Sequence, residues 1–362
     1  MVNLKRALLL FAVIFLAVNP FTLKAAEEAH GDAPKTQAEE IKEYSQHHLQ
    51  DDHYFSLFSD QKAGKHYGFP LPVILIDNGL VVFSSGEFHH GESVVEKNGQ
   101  YYTLYHGKIY KTDAAGTLNS DEAHHPTNAK PLDFSITKNV VGLLLAAFLL
   151  FWGFICLAKT YKKGVNNLPK GVGRVLEPLV LYVRDEMAVP NIGHRYKEFM
   201  PYLLSVFFLI FVLNLLGMTP LGFNVTGNIT VTLCLALFTF FITNFKANKD
   251  YWKHIFWMPG VPVPFKFILA PIEVLGMFTK PFSLMLRLFA NITAGHSVVM
   301  GLIAIVYLFQ QQLTVGGSIG VSMLLTLVLF FLELLVAFLQ AFIFTMLSSL
   351  FIGMAVEEHA HH

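Results

Sequence analysis

Arg287 stands alone in a long uncharged stretch, with no other Asp, Glu, Lys or Arg between Phe282 and Leu332. Its immediate surroundings, KPFSLMLRLFANITAGH, are apolar or small and uncharged apart from Lys280 and a histidine. A charge at bilayer depth costs about 3 to 17 kcal/mol, so such residues are retained mainly for function. Arginine cannot be neutralised by losing its proton. The sequence therefore predicts a fixed positive charge that acts in charge transfer.

Other polar residues surround Arg287 at helical spacing. Glu273, Lys280 and Arg287 are seven residues apart, which puts them on one stripe of a helix. Ser283 and Asn291 lie four residues on either side of Arg287 and share its face. Glu273 and Lys280 also have a simpler interpretation as charges near a helix end that extend to lipid headgroups.

A histidine and a second carboxylate complete the set. His296 follows Arg287 by nine residues, about 13 Å along a helix. Glu333 and Gln340 are seven residues apart in the last apolar run. An intramembrane carboxylate, histidine and arginine together predict a proton relay, since histidine and a desolvated carboxylate can both exchange protons near neutral pH. His296 could instead be a hydrogen-bonded core residue, and two ligands are too few for a metal enzyme, so no metal or other cofactor is predicted.

Composition predicts an integral membrane protein. Of 362 residues, 53% are hydrophobic and 14% are charged, whereas about 25% are charged in soluble domains. The net charge is zero, which gives no reason to expect a nucleic acid as a partner. Cys156 and Cys234 lie in apolar runs and are expected to be unpaired small core residues.

The N-terminal third is predicted to be exported. Residues 1–26 combine Lys5 and Arg6 with a twelve-residue apolar core and small residues near Ala25, a pattern typical of a signal sequence. An uncleaved anchor has a similar pattern. The run VILIDNGLVVF predicts a hairpin at Asn-Gly, and GQYYTLYHGKIYKTD a second one at His-Gly. We therefore expect residues 27–135 to form a small β-rich extracytoplasmic extension, which could also be a separate binding module.

Residues 136–356 are predicted to form an all-α polytopic membrane domain, followed by a cytoplasmic tail at 357–362. The expected helices are 138–159, 172–187, 199–218, 228–246, 266–312 and 318–356. The helix at 172–187 is amphipathic, contains Pro178 and is expected at the inner membrane surface. Lysines after the first and fourth helices predict that those ends are cytoplasmic. The last two helices greatly exceed the 20 or so residues of a perpendicular span, which predicts a tilted hairpin.

Four segments carry a family resemblance: EPLVLYVRDEMAVPNIG, NLLGMTP, TKPFSLMLRLFANITAGH and LQAFIFTMLSSLF. In type and order they resemble subunit a of the F-type rotary ATP synthase, over about residues 138–356. The resemblance implies a stator subunit, not an enzyme on its own, in the bacterial inner membrane. The implied partners are the c-subunit ring, the b-subunit stalk and the rest of the complex, together with lipid and translocated protons.

The resemblance also implies residue roles. Arg287 is expected to face the carboxylate of each passing c subunit, with Lys280 and Pro281 as structural residues beside it. The half-channel open to the exterior is expected to contain Asn291, His296, Glu333 and Gln340. Glu273 and Ser283 are expected in the half-channel open to the cytoplasm. The alternative is a secondary cation/proton transporter, a class that usually shows repeated halves; no internal repeat is apparent here.

Overall fold

The computed structural model describes residues 51–60, 65–77, 79–91, 93–119, 126–162, 171–219, 223–258, 261–309 and 315–357. Within these ranges, the structure does not describe the side chains at 56–60, 65–67, 90, 294, 296–309, 315–319, 321 and 322. The predicted signal sequence, and the predicted tail from residue 358 onward, also lie outside the described residues.

The described part of the N-terminal third is rich in β-strands. The strands are β1 Tyr54–Asp60, β2 Lys65–Pro70, β3 Pro72–Ile76, β4 Leu80–Ser84, β5 Val95–Lys97, β6 Gln100–Tyr105, β7 Lys108–Thr112 and β8 Leu132–Asp133. They form a β1–β2 ribbon and two antiparallel three-stranded sheets, in the orders β4–β3–β8 and β5–β6–β7. We refer to the described part of residues 51–135 as the β domain.

Both predicted hairpins are confirmed. Strands β3 and β4 pair from Pro72 opposite Ser84 to Ile76 opposite Leu80. Strands β6 and β7 are joined by His106 and Gly107, whose φ angles are 47° and 71°. Positive φ at both central residues is what a type I′ turn requires, and this turn matches the twist of the two strands. The local sequence therefore determines where each hairpin turns.

The β domain has a small core of its own. Alternate residues of β3 and β4, including Val73, Leu75 and Val81, are buried on one face. They pack with Tyr102 of β6 and Ile109 of β7. Tyr102 is fully buried, and its hydroxyl donates to Asp77 Oδ2 at 3.0 Å. The period-two alternation of apolar residues thus places one face of each sheet against the other.

The rest of the described chain is helical. Its helices are α1 Lys138–Lys162, α2 Val172–Tyr182, α3 Val189–Ile192, α4 Tyr196–Gly217, α5 Ile229–Phe245, α6 Lys249–Phe256, α7 Val263–Phe309 and α8 Val315–Val356. The short helix α6 was not predicted. Helix α7 has 47 residues and α8 has 42, or about 70 and 63 Å at 1.5 Å per residue. Both are much longer than the roughly 30 Å hydrocarbon layer is thick.

Several of these helical stretches are long and apolar enough to cross a membrane. Within the described residues there are four, at Lys138–Lys162, Val172–Gly217, Val263–Thr293 and Met323–Val356. The number rises to five if α5 and α6, which meet at 102°, are one broken span. The chain is therefore a multi-pass membrane protein with a mostly helical fold.

The core of the helical domain includes the segment that connects α2 to α4. After α2, which contains Pro178, the chain forms a π-helix from Val183 to Ala188. Val183, Met187 and Ala188 of this turn are fully buried in a cluster with residues of α4, α7 and α8. The apolar face of the predicted amphipathic helix thus belongs partly to the protein core.

Close packing between α3 and α8 fixes the end of the bundle. A Cβ added at Gly353 would lie 2.0 Å from the carbonyl oxygen of Asn191. The Asn191 side chain donates to Ser349 Oγ at 2.9 Å and to the carbonyl of Met187 at 2.8 Å. Glycine is therefore required at 353 because the backbone of α3 occupies the space of any side chain there.

The two cysteines are unpaired, as expected, but their position differs from the prediction. Cys234 is exposed on α5, and Cys156 is partly exposed on α1. Neither is a core residue. The reason is that an apolar run does not distinguish a core-facing residue from a lipid-facing one, since both environments are apolar.

Candidate functional site

Arg287 lies on an open part of the surface of α7. Leu284 and Leu288, on the buried side of the same helix, are 2% and 0% exposed. Arg287 is exposed, as are Phe282 and Leu286 beside it. It makes no hydrogen bond or ion pair with any other residue that the structure describes. An unneutralised guanidinium on an apolar helix face is costly in a membrane unless an anionic partner approaches it.

A cavity of about 260 Å³ lies on one side of Arg287 along α7. We call it the Glu333 cavity. Glu333 of α8 and Asn291 of α7 both line it, so the structure brings these two predicted residues together. Gly295, the residue before His296, lines it as well, whereas the side chain of His296 lies outside the described part of the chain.

Gln340 joins this site through Asn291. Asn291 Nδ2 donates to Gln340 Oε1, which connects α7 to α8. Gln340 is fully buried, and its Nε2 has no hydrogen-bond partner among the described residues. A buried amide hydrogen without an acceptor is unfavourable, so this group is suited to binding water or another acceptor.

Two residues that the sequence analysis missed complete the wall of the Glu333 cavity. Asn214 of α4 and Thr226, in the turn before α5, are 3% and 2% exposed. Thr226 Oγ1 donates to Asn214 Oδ1 at 3.1 Å, and Asn214 Nδ2 donates to the carbonyl of Ala337 at 3.4 Å. An amide inside the apolar run before Gly217 was the available signal, because intramembrane polar residues are rarely incidental.

A second cavity, also of about 260 Å³, lies on the other side of Arg287. We call it the Glu273 cavity. Its ionisable lining residues are Asp250, His254, Glu273, Lys280 and Glu357. Glu273 and Lys280 are therefore brought together as their spacing predicts. Asp250 and His254 come from α6, and neither they nor Glu357 were predicted, because their sequence neighbourhood looks like an ordinary polar connection.

The remaining predicted residues lie near this cavity but do not line it. Ser283 is exposed on α7 and borders neither of the two cavities. Pro281 lines a small void of about 10 Å³ together with Leu284 and Phe351. The Lys280 ammonium group lies 5.3 Å from the centre of the Phe351 ring. This cation–π contact holds Lys280 between the helices.

The two cavities lie at different heights along α7. Glu273 precedes Arg287 by fourteen residues, about 21 Å along the axis, and Asn291 follows it by four, about 6 Å. Each cavity contains a carboxylate. Among the described residues, no group of three or more His, Cys, Asp or Glu is arranged to hold a metal ion. The arrangement provides two separate cavities, each lined by at least one carboxylate, and a fixed cation between them along α7.

Comparison with known proteins agrees with this architecture. Residues 140–353 match the family described as ATP synthase A chain. Residues 44–134 match a separate family that is described only as a domain of unknown function. The boundary between the two matches falls where the β domain meets α1.

Individual relatives carry the same name. ATP synthase subunit a 2 of Chlorobaculum tepidum is 46% identical over 248 residues, which are 67% of this chain and 69% of the relative. ATP synthase subunit a 2 of Prosthecochloris aestuarii is 40% identical over 304 residues, which are 80% of this chain and 92% of the relative. ATP synthase subunit a of an Anaeromyxobacter species is 40% identical over 262 residues, which are 70% and 62% of the two chains.

The family match at residues 140–353 includes Arg287, all the residues that line the Glu333 cavity and most of those that line the Glu273 cavity. The chain therefore belongs to the ATP synthase A chain family. It is a subunit a of the membrane sector of F-type ATP synthase, a complex that functions in ATP synthesis and proton transport.

Proposed function

We propose that this chain is the stator subunit that couples proton flow to rotation, with Arg287 facing the carboxylate of each c subunit as it passes. The observation that carries the proposal is the position of Arg287 on an exposed apolar face, between two cavities that each contain a carboxylate. The subunit then supplies the proton path, while ATP chemistry takes place elsewhere in the complex.

The role of Arg287 follows from its charge. A guanidinium close to a carboxylate favours the ionised form of the acid, so a protonated c-subunit carboxylate releases its proton on approach. Because Arg287 is always charged, it also repels a proton that would pass directly from one cavity to the other. A proton that crosses 100 mV gains about 2.3 kcal/mol, and this gain drives the rotor forward.

The two cavities supply the two ends of the path. In the proposed path from the exterior, Glu333, His296, Asn291 and Gln340 pass protons toward the rotor through the Glu333 cavity. On the cytoplasmic side, Glu273 and Ser283 act beside the Glu273 cavity, with Lys280 and Pro281 in structural roles. The offset between the cavities means that a proton has to travel on the rotor to get from one to the other.

Charges on the loops support the orientation. Lys159 and Lys162 end α1, and Lys246 and Lys249 follow α5, and positive residues favour the cytoplasmic side. The β domain is then outside and the C-terminus is inside. We accordingly propose a signal sequence at 1–26, an extracytoplasmic extension at 27–135, a membrane domain at 136–356 and a cytoplasmic tail at 357–362, in the inner membrane.

The long helices supply the contact surface for the c ring. Helices α7 and α8 contact each other and expose many large apolar residues, among them Ile272, Leu275, Leu327 and Phe331. We propose that they form a tilted hairpin whose exposed face follows the ring. Helix α2 then braces the hairpin near the inner membrane surface, and the b-subunit stalk holds the subunit in place.

ATP-driven proton pumping in membrane vesicles tests the role of Arg287. The variant Arg287→Ala is compared with wild type and with Arg174→Ala, which removes an exposed arginine of α2. Immunoblots first establish equal amounts of assembled complex. Loss of pumping only in Arg287→Ala is expected. Full pumping in Arg287→Ala would reject the proposal and favour a secondary transporter.

Sided chemical labelling tests the two entrances. In a background with Cys156→Ser and Cys234→Ser, reporters are placed at Val336→Cys in the Glu333 cavity and Met354→Cys in the Glu273 cavity. A membrane-impermeant maleimide is expected to label Val336→Cys from the exterior and Met354→Cys from the cytoplasmic side. Labelling of both reporters from one side would exclude two half-channels of opposite access.

A further inference from the structure

The β domain contacts the membrane helices through one apolar cluster. Phe55 and Leu71 of the β domain pack with Ala146 of α1, Leu213 of α4 and Phe223 in the turn before α5. All five are no more than 5% exposed. Buried aromatic and aliphatic contacts of this kind define a fixed interface rather than a flexible attachment.

Polar contacts beside the cluster connect the segment before β1 to the start of α1 and to β8. Asp51 accepts from the backbone amide of Asn139 and from Thr137 Oγ1, each at 3.1 Å, at the start of α1. His53, which is 2% exposed, contacts Asp133 Oδ2 through Nε2 at 2.9 Å. Burial by itself raises the pKa of Asp133, but the hydrogen bonds with His53 and Ser135 outweigh it and hold the pKa below its usual range. Phe55 follows this junction by two residues and is positioned by it.

Phe223 belongs to the interface and to the Glu333 cavity at once. Its ring centre lies 5.5 Å from that of Phe55, and it lines the cavity together with Thr226. On another side, a Cβ added at Gly142 of α1 would lie 2.7 Å from the Phe223 ring. The ring is thus held between the β domain and α1. Any movement of Phe55 changes the support of this cavity wall.

We propose that the β domain, which matches a family of unknown function, serves to hold the wall of the Glu333 cavity, and that Phe55 is its positioning residue. The idea rests on the proposed function, because the cavity has to be the exterior proton entrance for the wall to matter. The domain then determines how freely water and protons enter from outside. The β domain acts through Phe223 and does not itself take part in proton transfer.

The consequence of losing Phe55 follows from the packing. Its replacement by alanine leaves a void directly behind Phe223, and side chains next to a new void relax only partly. Phe223 can then turn toward the β domain. That movement opens the Glu333 cavity to the exterior. Opening becomes more frequent because a segment with fewer buried contacts opens locally at a lower free-energy cost.

Thiol labelling in the assembled complex tests the proposal. The reporter is Val336→Cys in the Cys156→Ser, Cys234→Ser background, labelled from the exterior with a membrane-impermeant maleimide. Adding Phe55→Ala is expected to raise the labelling rate about tenfold. The matched control is Phe134→Ala, which removes the same ring from a position in the β domain that is 63% exposed. An unchanged rate in Phe55→Ala, or an equal rise in both variants, would overturn the proposal.

A milder variant covers the case in which Phe55→Ala prevents assembly. Phe55→Leu keeps an apolar side chain against Phe223 and is expected to raise labelling by a smaller factor, about threefold. An unchanged rate in Phe55→Leu overturns the proposal equally. Proton pumping in Arg287→Ala, which does not involve the β domain, tells failure of the proposed function from failure of this proposal. Full pumping in that variant rejects the proposed function, whereas unchanged labelling in the Phe55 variants rejects only the role of the β domain.

Discussion

Removing the hydrogen bond between Thr226 and Asn214 directly tests how the wall of the Glu333 cavity is held together. Thr226→Val keeps the shape of the side chain and removes only the hydroxyl that donates to Asn214 Oδ1. Both residues are almost fully buried and line the Glu333 cavity, so only a water molecule inside that cavity can replace the lost donor. The variant isolates one polar contact between α4 and the turn that closes the cavity.

The expected magnitude follows from the environment. Side-chain hydrogen bonds in membrane proteins contribute about 0.6 kcal/mol on average and up to about 1.7. A buried acceptor left without a partner adds a penalty, about 1 to 3 kcal/mol in soluble proteins. We therefore expect Thr226→Val to lower the free energy of unfolding by about 1 to 2 kcal/mol. Asn214→Ala should cost more, about 2 to 4 kcal/mol, because it also loses the bond to Ala337 and enlarges the cavity.

A double-mutant cycle measures the contact itself. The full-length chain in detergent micelles is unfolded with increasing SDS, and helicity is followed by circular dichroism for the two single variants and the double variant. The coupling energy is expected to be about 0.6 to 1.7 kcal/mol. Thr230→Val, at an exposed position on α5, is the control and should change little. A coupling energy below about 0.3 kcal/mol, within the error of additivity, would refute the contact.

Two further predictions concern packing and pH. Gly353→Ala should lower the free energy of unfolding in SDS by about 1 to 3 kcal/mol or more, because its Cβ meets the backbone of Asn191. Gly276→Ala, with nothing within 4 Å of the added Cβ, should be neutral or slightly stabilising. The hydrogen bond from Lys111 holds the pKa of Asp77 below its usual range despite burial. That stabilisation is present above about pH 4 and is lost as the pH falls through the lowered pKa. Asp77→Asn should therefore destabilise the chain by about 1 to 2 kcal/mol at pH 7 and by less as the pH falls below about 4. The loss is measured against wild type at each pH by thermal melting of the full chain followed by near-UV circular dichroism; an equal loss at pH 7 and pH 3 would contradict the ion pair.

The elements could be predicted from the sequence because local patterns determine them. The hairpin at His106 and Gly107 follows from two residues that accept positive φ between apolar alternating runs. The apolar runs of α7 and α8 give their approximate extents, since hydropathy reports length directly. What hydropathy does not report is the direction of a side chain, and Cys234 faces outward for that reason.

The cavities could be predicted only in part because they depend on contacts between distant segments. Spacing by seven brings Glu273 and Lys280 to one cavity, and this is a property of a single helix. Asp250 and His254 join them only through the 102° bend between α5 and α6, which no local pattern encodes. Asn214 likewise contributes to the Glu333 cavity through contacts with Thr226 and Ala337, 12 and 123 residues away.

The packing between the two cavities supports the proposed role of a moving partner subunit. Along α7, Leu284, Met285 and Leu288 lie between Lys280 of the Glu273 cavity and Asn291 of the Glu333 cavity, and all three are at most 4% exposed. They pack in the cluster that contains Phe344 of α8. The void beside Leu284 measures only about 10 Å³, the least that a single water requires. A proton crosses such an apolar layer only at high cost, which supports the proposal that a carboxylate on another subunit carries the proton past the exposed face of Arg287.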